Sequence, residues 1–263
     1  MKSILQLVYL LGFVASFVAS ESLLAQTSLP ETKSSAPSVK DERTRAKIHT
    51  ELGALYYQDG NIPVAMEELT VAIYIDPKYA PAYSMRALVH HYLKEPNHAE
   101  DNFKQAIALT PDDPEIANNY GWFLCQIGRD AEAMPYFAKA IQNRMYQTPD
   151  RAYLNAGQCA MKLGNVSQAA EYLEMAHRLS GESPVTAFRL AEIRYSQGAY
   201  SEAKRLLSDL VKAVEPTSEV LWLVIRVERK LGDRQAEMNF TSQLRRKFAT
   251  SKEYQELLKG NYE

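Results

Sequence analysis

The residues best suited to chemistry are few and scattered. Five histidines, His49, His90, His91, His98 and His177, have imidazoles able to hold a metal or move a proton. None stands in an HExxH motif, and none has the paired spacing with acids that builds a zinc site. Packed or solvated imidazoles are therefore expected. The sequence contains no GxxxxGK[ST] phosphate loop, no GxGxxG after a strand and no GxSxG elbow, so the backbone cradles and strained nucleophiles of the common enzyme classes are missing. No catalytic residue, metal or cofactor is expected, and the chain reads as a binding protein rather than an enzyme.

Cys125 and Cys159 offer a different chemistry. They can form a disulfide or remain two buried thiols, and an oxidising compartment would favour the bridge. Charge narrows the partners. Thirty Lys and Arg stand against 32 Asp and Glu, a formal net charge of −2, so the cationic surface of a nucleic-acid binder is absent and proteins are the expected partners.

The elements that position these residues begin behind a leader. Lys2 precedes an almost unbroken apolar run from Ile4 to Ala19, short of the roughly 20 residues of a membrane-spanning helix. Residues 1–25 are expected to be a signal peptide, cleaved after Ser20 or Ala25. Residues 26–42, which open with a Ser-, Thr- and Pro-rich stretch, have little to bury and are expected to form a flexible linker. The folded region is expected to run from 43 to 263.

Two markers in that region share one period. Small residues recur at Ala65, Ala99, Ala133, Ala169 and Ala203, spaced 34, 34, 36 and 34. Turn glycines recur at Gly60, Gly128, Gly164, Gly198 and Gly232, spaced 68, 36, 34 and 34. A helix-turn-helix unit of about 34 residues is the tetratricopeptide repeat (TPR). The first unit shows Leu52-Gly53, Tyr56, Ala65, Leu69, Ala72 and Pro77 at its offsets. The units span 46–79, 80–113, 114–147, 150–183, 184–217 and 218–251. An all-α superhelical solenoid follows, with twelve helices in six hairpins, a short closing helix from about Ser251 to Leu258, and no sheet. Gly or Ala must sit where the two helices of a hairpin cross, because a larger side chain holds the backbones apart. In the sixth unit Glu237 and Thr241 replace the small and large apolar residues, as in a terminal cap whose outer face meets water.

Once crossing and filling positions are assigned, the first helix of each repeat keeps one face for the inner groove. That face carries Tyr57, His91, Tyr92, Asn118, Asn119, Trp122, Asn155, Gln158, Arg189, Tyr195, Trp222, Arg226 and Arg229. Aromatic and Arg side chains supply large contact energies and amides can bond a peptide backbone, so this stripe is the candidate protein-binding site.

Several stretches are more specific than the repeat itself: Asn118-Asn119-Tyr120-Gly121-Trp122-Phe123-Leu124-Cys125, Asn155-Ala156-Gly157-Gln158-Cys159, Leu221 to Arg229, and Phe248 to Tyr254. In these the chain resembles the PilF/PilW family of type IV pilus biogenesis, from about Arg43 to Tyr262. The resemblance implies a pilotin, a non-enzymatic scaffold that helps the outer-membrane secretin reach its membrane and assemble. It implies that secretin, and other pilus assembly proteins, as partners, and a periplasmic, outer-membrane-associated location. Members are typically lipoproteins with a Cys just after the signal peptide, whereas here Leu23-Leu24-Ala25 is followed by Gln26. Membrane association is accordingly expected to be indirect or through an uncleaved leader. The alternative is a general envelope adaptor that recruits a peptidase.

Overall fold

The computed structural model describes residues 39–181 and 183–262; the expected signal peptide and the expected linker up to residue 38 lie outside them. Thirteen helices and no strands are found among the described residues. They pair as α1 (Val39–Gln58) with α2 (Ile62–Ile75), α3 (Ala80–Tyr92) with α4 (Pro96–Leu109), and α5 (Pro114–Gln126) with α6 (Asp130–Gln142). The pairing continues with α7 (Pro149–Lys162) and α8 (Val166–Leu179), α9 (Pro184–Ser196) and α10 (Tyr200–Ala213), and α11 (Ser218–Leu231) and α12 (Arg234–Lys247). The short α13 (Lys252–Lys259) closes the array.

Helix α1 starts four residues before the boundary expected at 43. Its first turn holds Asp41 and Glu42, which complement the partial positive charge of a helix N-terminus. Apolar periodicity does not reveal a turn whose side chains are mostly charged. Elsewhere the starts follow local chemistry. Proline occupies the first turn of α2, α3, α4, α5, α7 and α9, where a missing N–H costs nothing. Asp113 accepts hydrogen bonds from the backbone of Glu115 and Ile116, and Ser251 caps α13 by accepting from Tyr254. The hairpin turns take φ between +75° and +80° at Gly60, Gly128, Gly164, Gly198 and Gly232. The second hairpin uses Lys94 at φ +63° in the same place, the one exception among the described residues.

Close approach explains the glycines inside helices. A Cβ on Gly53, Gly121 or Gly157 would lie 2.8, 2.9 or 2.6 Å from the side chain of Leu69, Phe137 or Leu173. Opposite them Ala65, Ala133 and Ala169 are fully buried. The sixth hairpin is different: Ile225 takes the repeat position of those glycines and is itself fully buried. Space for it exists because α12 presents Glu237 and Thr241 in place of Ala and Leu, and of α12 only Leu244 is buried. The outer face of α12 thus meets water as expected, while α13 folds over α11. Leu221, Trp222, Ile225 and Leu244 form a core there with Phe240, Phe248, Tyr254, Leu257 and Tyr262 packed against it.

The first helices of consecutive hairpins lie side by side from α1 through α3 and α5 to α7, and again from α9 to α11. Between α7 and α9 they stand further apart, and α8 makes the main packing onto α9. The gap leaves a cavity of about 290 Å³ over Leu173 and Ile193.

Candidate protein-binding groove

The first-helix faces form a groove whose two ends differ. At the α1–α5 end the rings are partly open. Tyr57 meets Tyr92 edge to face at 5.8 Å, and Tyr92 is 55% exposed. His91 stands edge-on to Trp122 at 5.1 Å and to Phe123 at 5.5 Å, with Trp122 half-buried. Burial among these rings, and secondarily the Lys94 cation, hold the His91 pKa below its usual value. A cavity of about 260 Å³ opens beside this strip between α1, α3 and α5, with Ala54, Met85 and Ile116 in its wall and Glu51, Asp113 and Glu115 among its charged groups.

The amides do not present a row of free donors. Asn118 is buried, 1% exposed, and its carbonyl accepts a 3.0 Å bond from Asn155 Nδ2 in the next repeat. Asn119 Nδ2 lies 3.5 Å from the hydroxyl of the buried Ser84 in the repeat before. Asn118 is therefore corrected from a groove contact to an inter-repeat bond, since a buried amide must be satisfied internally. Ser84 occupies the repeat position of Asn118, so aligning the repeats would have found it.

Gln158 and Arg189 flank the cavity between α7 and α9 together with Met161, Lys162 and Glu192. Arg189 pairs with Glu192 at 2.8 Å and lies over the Phe188 ring, while its Nε is buried without a hydrogen-bond partner. Lys162 Nζ donates to the Cys125 carbonyl at 2.9 Å. Cys125 and Cys159, both buried, are joined as a disulfide between α5 and α7 with Cα atoms 5.9 Å apart, within the usual span of such a bridge.

At the α9–α11 end the groove is covered. Trp222 is only 9% exposed, with the ring of Tyr262 at 5.5 Å and tilted by 30°. The Arg229 guanidinium sits 3.9 Å from the centre of the Tyr262 ring and pairs with Glu237 at 2.9 Å. Tyr195 donates its hydroxyl to the Tyr262 carbonyl at 3.4 Å. Trp222 is thus corrected from an open anchor to a component of the packing under α13. Tyr262 has no counterpart in the repeat, and periodicity could not have pointed to it.

Outside the groove, the fold sets two of the histidines beside an acid. The α3–α4 turn brings His90, Glu95 and His98 together, with ligand atoms within 4.8 Å of one another. Glu95 lies 2.7 Å from His90 and 3.6 Å from His98, and the hydrogen bond to His90 holds its carboxyl below the usual range. Spacing alone did not show this because the turn supplies the proximity. No helix among the described residues is long and apolar enough to cross a membrane.

Comparison with known proteins agrees with this architecture. Models of the tetratricopeptide repeat match residues 85–150 and 160–222. The type IV pilus assembly protein PilF of Pseudomonas aeruginosa is 31% identical over 217 residues, which are 82% of this chain and 85% of that protein. The crystal structure of PilW, described as a widely conserved type IV pilus biogenesis factor, superposes with a TM-score of 0.75 at 33% identity, covering 81% of this chain and 98% of PilW. A structure of Pseudomonas aeruginosa PilF gives a TM-score of 0.76 at 29% identity over 83% of this chain and 99% of the other. With an identity of this size across nearly the whole repeat array, the chain belongs to the PilF/PilW family of tetratricopeptide-repeat proteins of type IV pilus biogenesis.

Proposed function

We propose that this protein is a non-enzymatic scaffold that helps the outer-membrane secretin of the type IV pilus to reach its membrane or to multimerise, by holding it along the α1–α5 stretch of the groove. The observation that carries the reading is the strip formed by Tyr57, Tyr92, His91 and Trp122, partly open and continuous across three repeats of a pilus-biogenesis protein. Rings held against one another offer contact area with little further ordering cost, the usual property of binding anchors. The reading places the protein in the periplasm, at the outer membrane through its partner.

The test combines Trp122→Ala and Tyr92→Ala in the full chain and follows heat-resistant secretin multimers, surface piliation, protein level and circular dichroism together. Multimers and pili are expected to fall while level and helical content hold. Normal multimers in a stably folded double variant would reject this face as the secretin-holding surface. A loss of peptidase recruitment with normal multimers would favour the general adaptor instead.

A further inference from the structure

Arg226 lies on α11 between two rings, with its guanidinium carbon 4.7 Å from the Tyr195 ring centre and 5.8 Å from that of Trp222. Its Nε is buried and has no hydrogen-bond partner, and no carboxylate among the described residues pairs with it. Arg189 shares the unpartnered Nε, but both neighbouring groove arginines have a carboxylate partner. Arg229 is paired with Glu237 and Arg189 with Glu192. A guanidinium fixed between rings keeps its charge and its fork of donors, and it lacks the anion that such a fork binds best.

The space beside it is filled by the chain itself. After α13, Gly260 turns the backbone at φ +69°, and Tyr262 lays its ring against Trp222 and under Arg229 while its carbonyl receives the Tyr195 hydroxyl. This is how a bound peptide would be held, with an aromatic side chain in a ring-and-cation pocket and a backbone carbonyl on a groove hydroxyl. Behind it the turn is tied to the eight-residue α13 by Asn261, whose amide donates to Glu256, and a cavity of about 660 Å³ opens beside Tyr262, next to Arg229, Arg234 and Met238.

We infer that the α9–α11 end of the groove is a peptide-binding site, distinct from the Trp122 strip, for a partner segment in which an aromatic residue is followed by a carboxylate. The ring replaces Tyr262 between Trp222 and Arg229, and the carboxylate pairs with Arg226. In the free protein residues 260–262 fill the aromatic half of the site, so a partner binds in competition with them and the apparent affinity is reduced by the fraction of time they occupy it. The inference rests on the groove being a binding face. Its test does not involve the secretin, so either reading can fail alone.

The probe is a fluorescein-labelled peptide Gly-Ser-Phe-Glu-Ser-Gly, titrated by anisotropy with the full chain beside its Gln and Lys counterparts, at low and at moderate salt. The Glu peptide is expected to bind, with Gln weaker by about tenfold and Lys weaker still, as loss of a charge-assisted pair implies. Arg226→Gln is expected to abolish the preference for Glu over Gln, and Tyr262→Ala to tighten Glu-peptide binding about threefold or more, by removing the competitor. Circular dichroism confirms that each variant is folded, and the Glu-to-Gln exchange in the probe needs no protein variant. Equal affinity for the Glu and Gln peptides, or no binding of the Glu peptide to wild type and Tyr262→Ala at millimolar concentration, would overturn the site. An affinity that Tyr262→Ala leaves unchanged would overturn self-occupancy.

Discussion

The two tryptophans of this chain stand on the same side of the repeat array and have different environments. Trp122, on α5, leans on His91 and keeps some of its surface open. Trp222, on α11, is covered by Tyr262 and shares a core with residues of α12, α13 and the segments that follow them. Both are aromatic residues on first helices, but their register differs: Trp222 takes the repeat position of the buried Ser84 and Asn118, whereas Trp122 stands four positions later in its unit, where the sixth has Arg226. The next layer adds to this difference: the third repeat is followed by another repeat, which leaves its inner face partly open, while the sixth is followed by a helix that folds back. An inward-facing aromatic is an anchor only when nothing in the chain reaches it first.

The comparison can be broken most directly through stability. Trp222→Ala is expected to cost about 3–5 kcal/mol, the range for emptying a buried large aromatic site. Trp122→Ala should cost about 1 kcal/mol, as for an ordinary substitution at a partly exposed position. Urea unfolding of the two variants measures both, and equal costs would erase the distinction between an open and a covered end.

A smaller effect tests how the open end is joined to the rest. The Cys125–Cys159 bridge ties α5 to α7 across a sequence separation of 34, next to the place where α7 and α9 separate. Replacing both cysteines by Ala is expected to lower stability by about 2–4 kcal/mol through the freed unfolded chain. Hydrogen exchange should show the loss concentrated in α5 to α8, with α11 to α13 little changed. A uniform loss along the chain would mean that the two ends unfold as one unit.

The smallest effect is a pH dependence confined to the open end. Because the folded protein holds the His91 pKa below 6.5, the unfolded chain binds the proton more readily. The contribution of neutral His91 is full above about pH 6.5 and is lost as pH falls below it, ceasing to change beneath the lowered folded value. Thermal melts between about pH 7 and pH 5 should fall less steeply in His91→Gln than in wild type. A slope unaltered by the substitution would show that the imidazole is not desolvated beside Trp122.

Much of this could be read before any fold was known. Ala65, Ala99, Ala133, Ala169 and Ala203 are all fully buried, where their period put them, and Gly53, Gly121 and Gly157 lie at close crossings as the repeat requires. Those positions are legible because one steric demand, two backbones approaching within a side chain's width, recurs in every hairpin. The groove was legible as a direction rather than as a set of contacts. The period says which face of a first helix points inward. It does not say that Asn155 turns to Asn118, because a side chain chooses between solvent and a neighbour only when the neighbour's distance is known.

The sequence by itself determined the repeat, its handful of obligatory small residues, the absence of common enzyme motifs and the family resemblance, all of which depend on local spacing within about 34 residues. Only the tertiary structure decided that Trp222 is covered by Tyr262, that Ile225 fits where other repeats need Gly or Ala, that α7 and α9 stand apart, and that Arg226 meets no carboxylate among the described residues. Each of these depends on what the following helix does in space. The sequence marked the sixth unit as a cap and the closing helix after it, but a periodic pattern does not say where a segment outside the period packs, so the position of α13 and Tyr262 over α11 had to be seen.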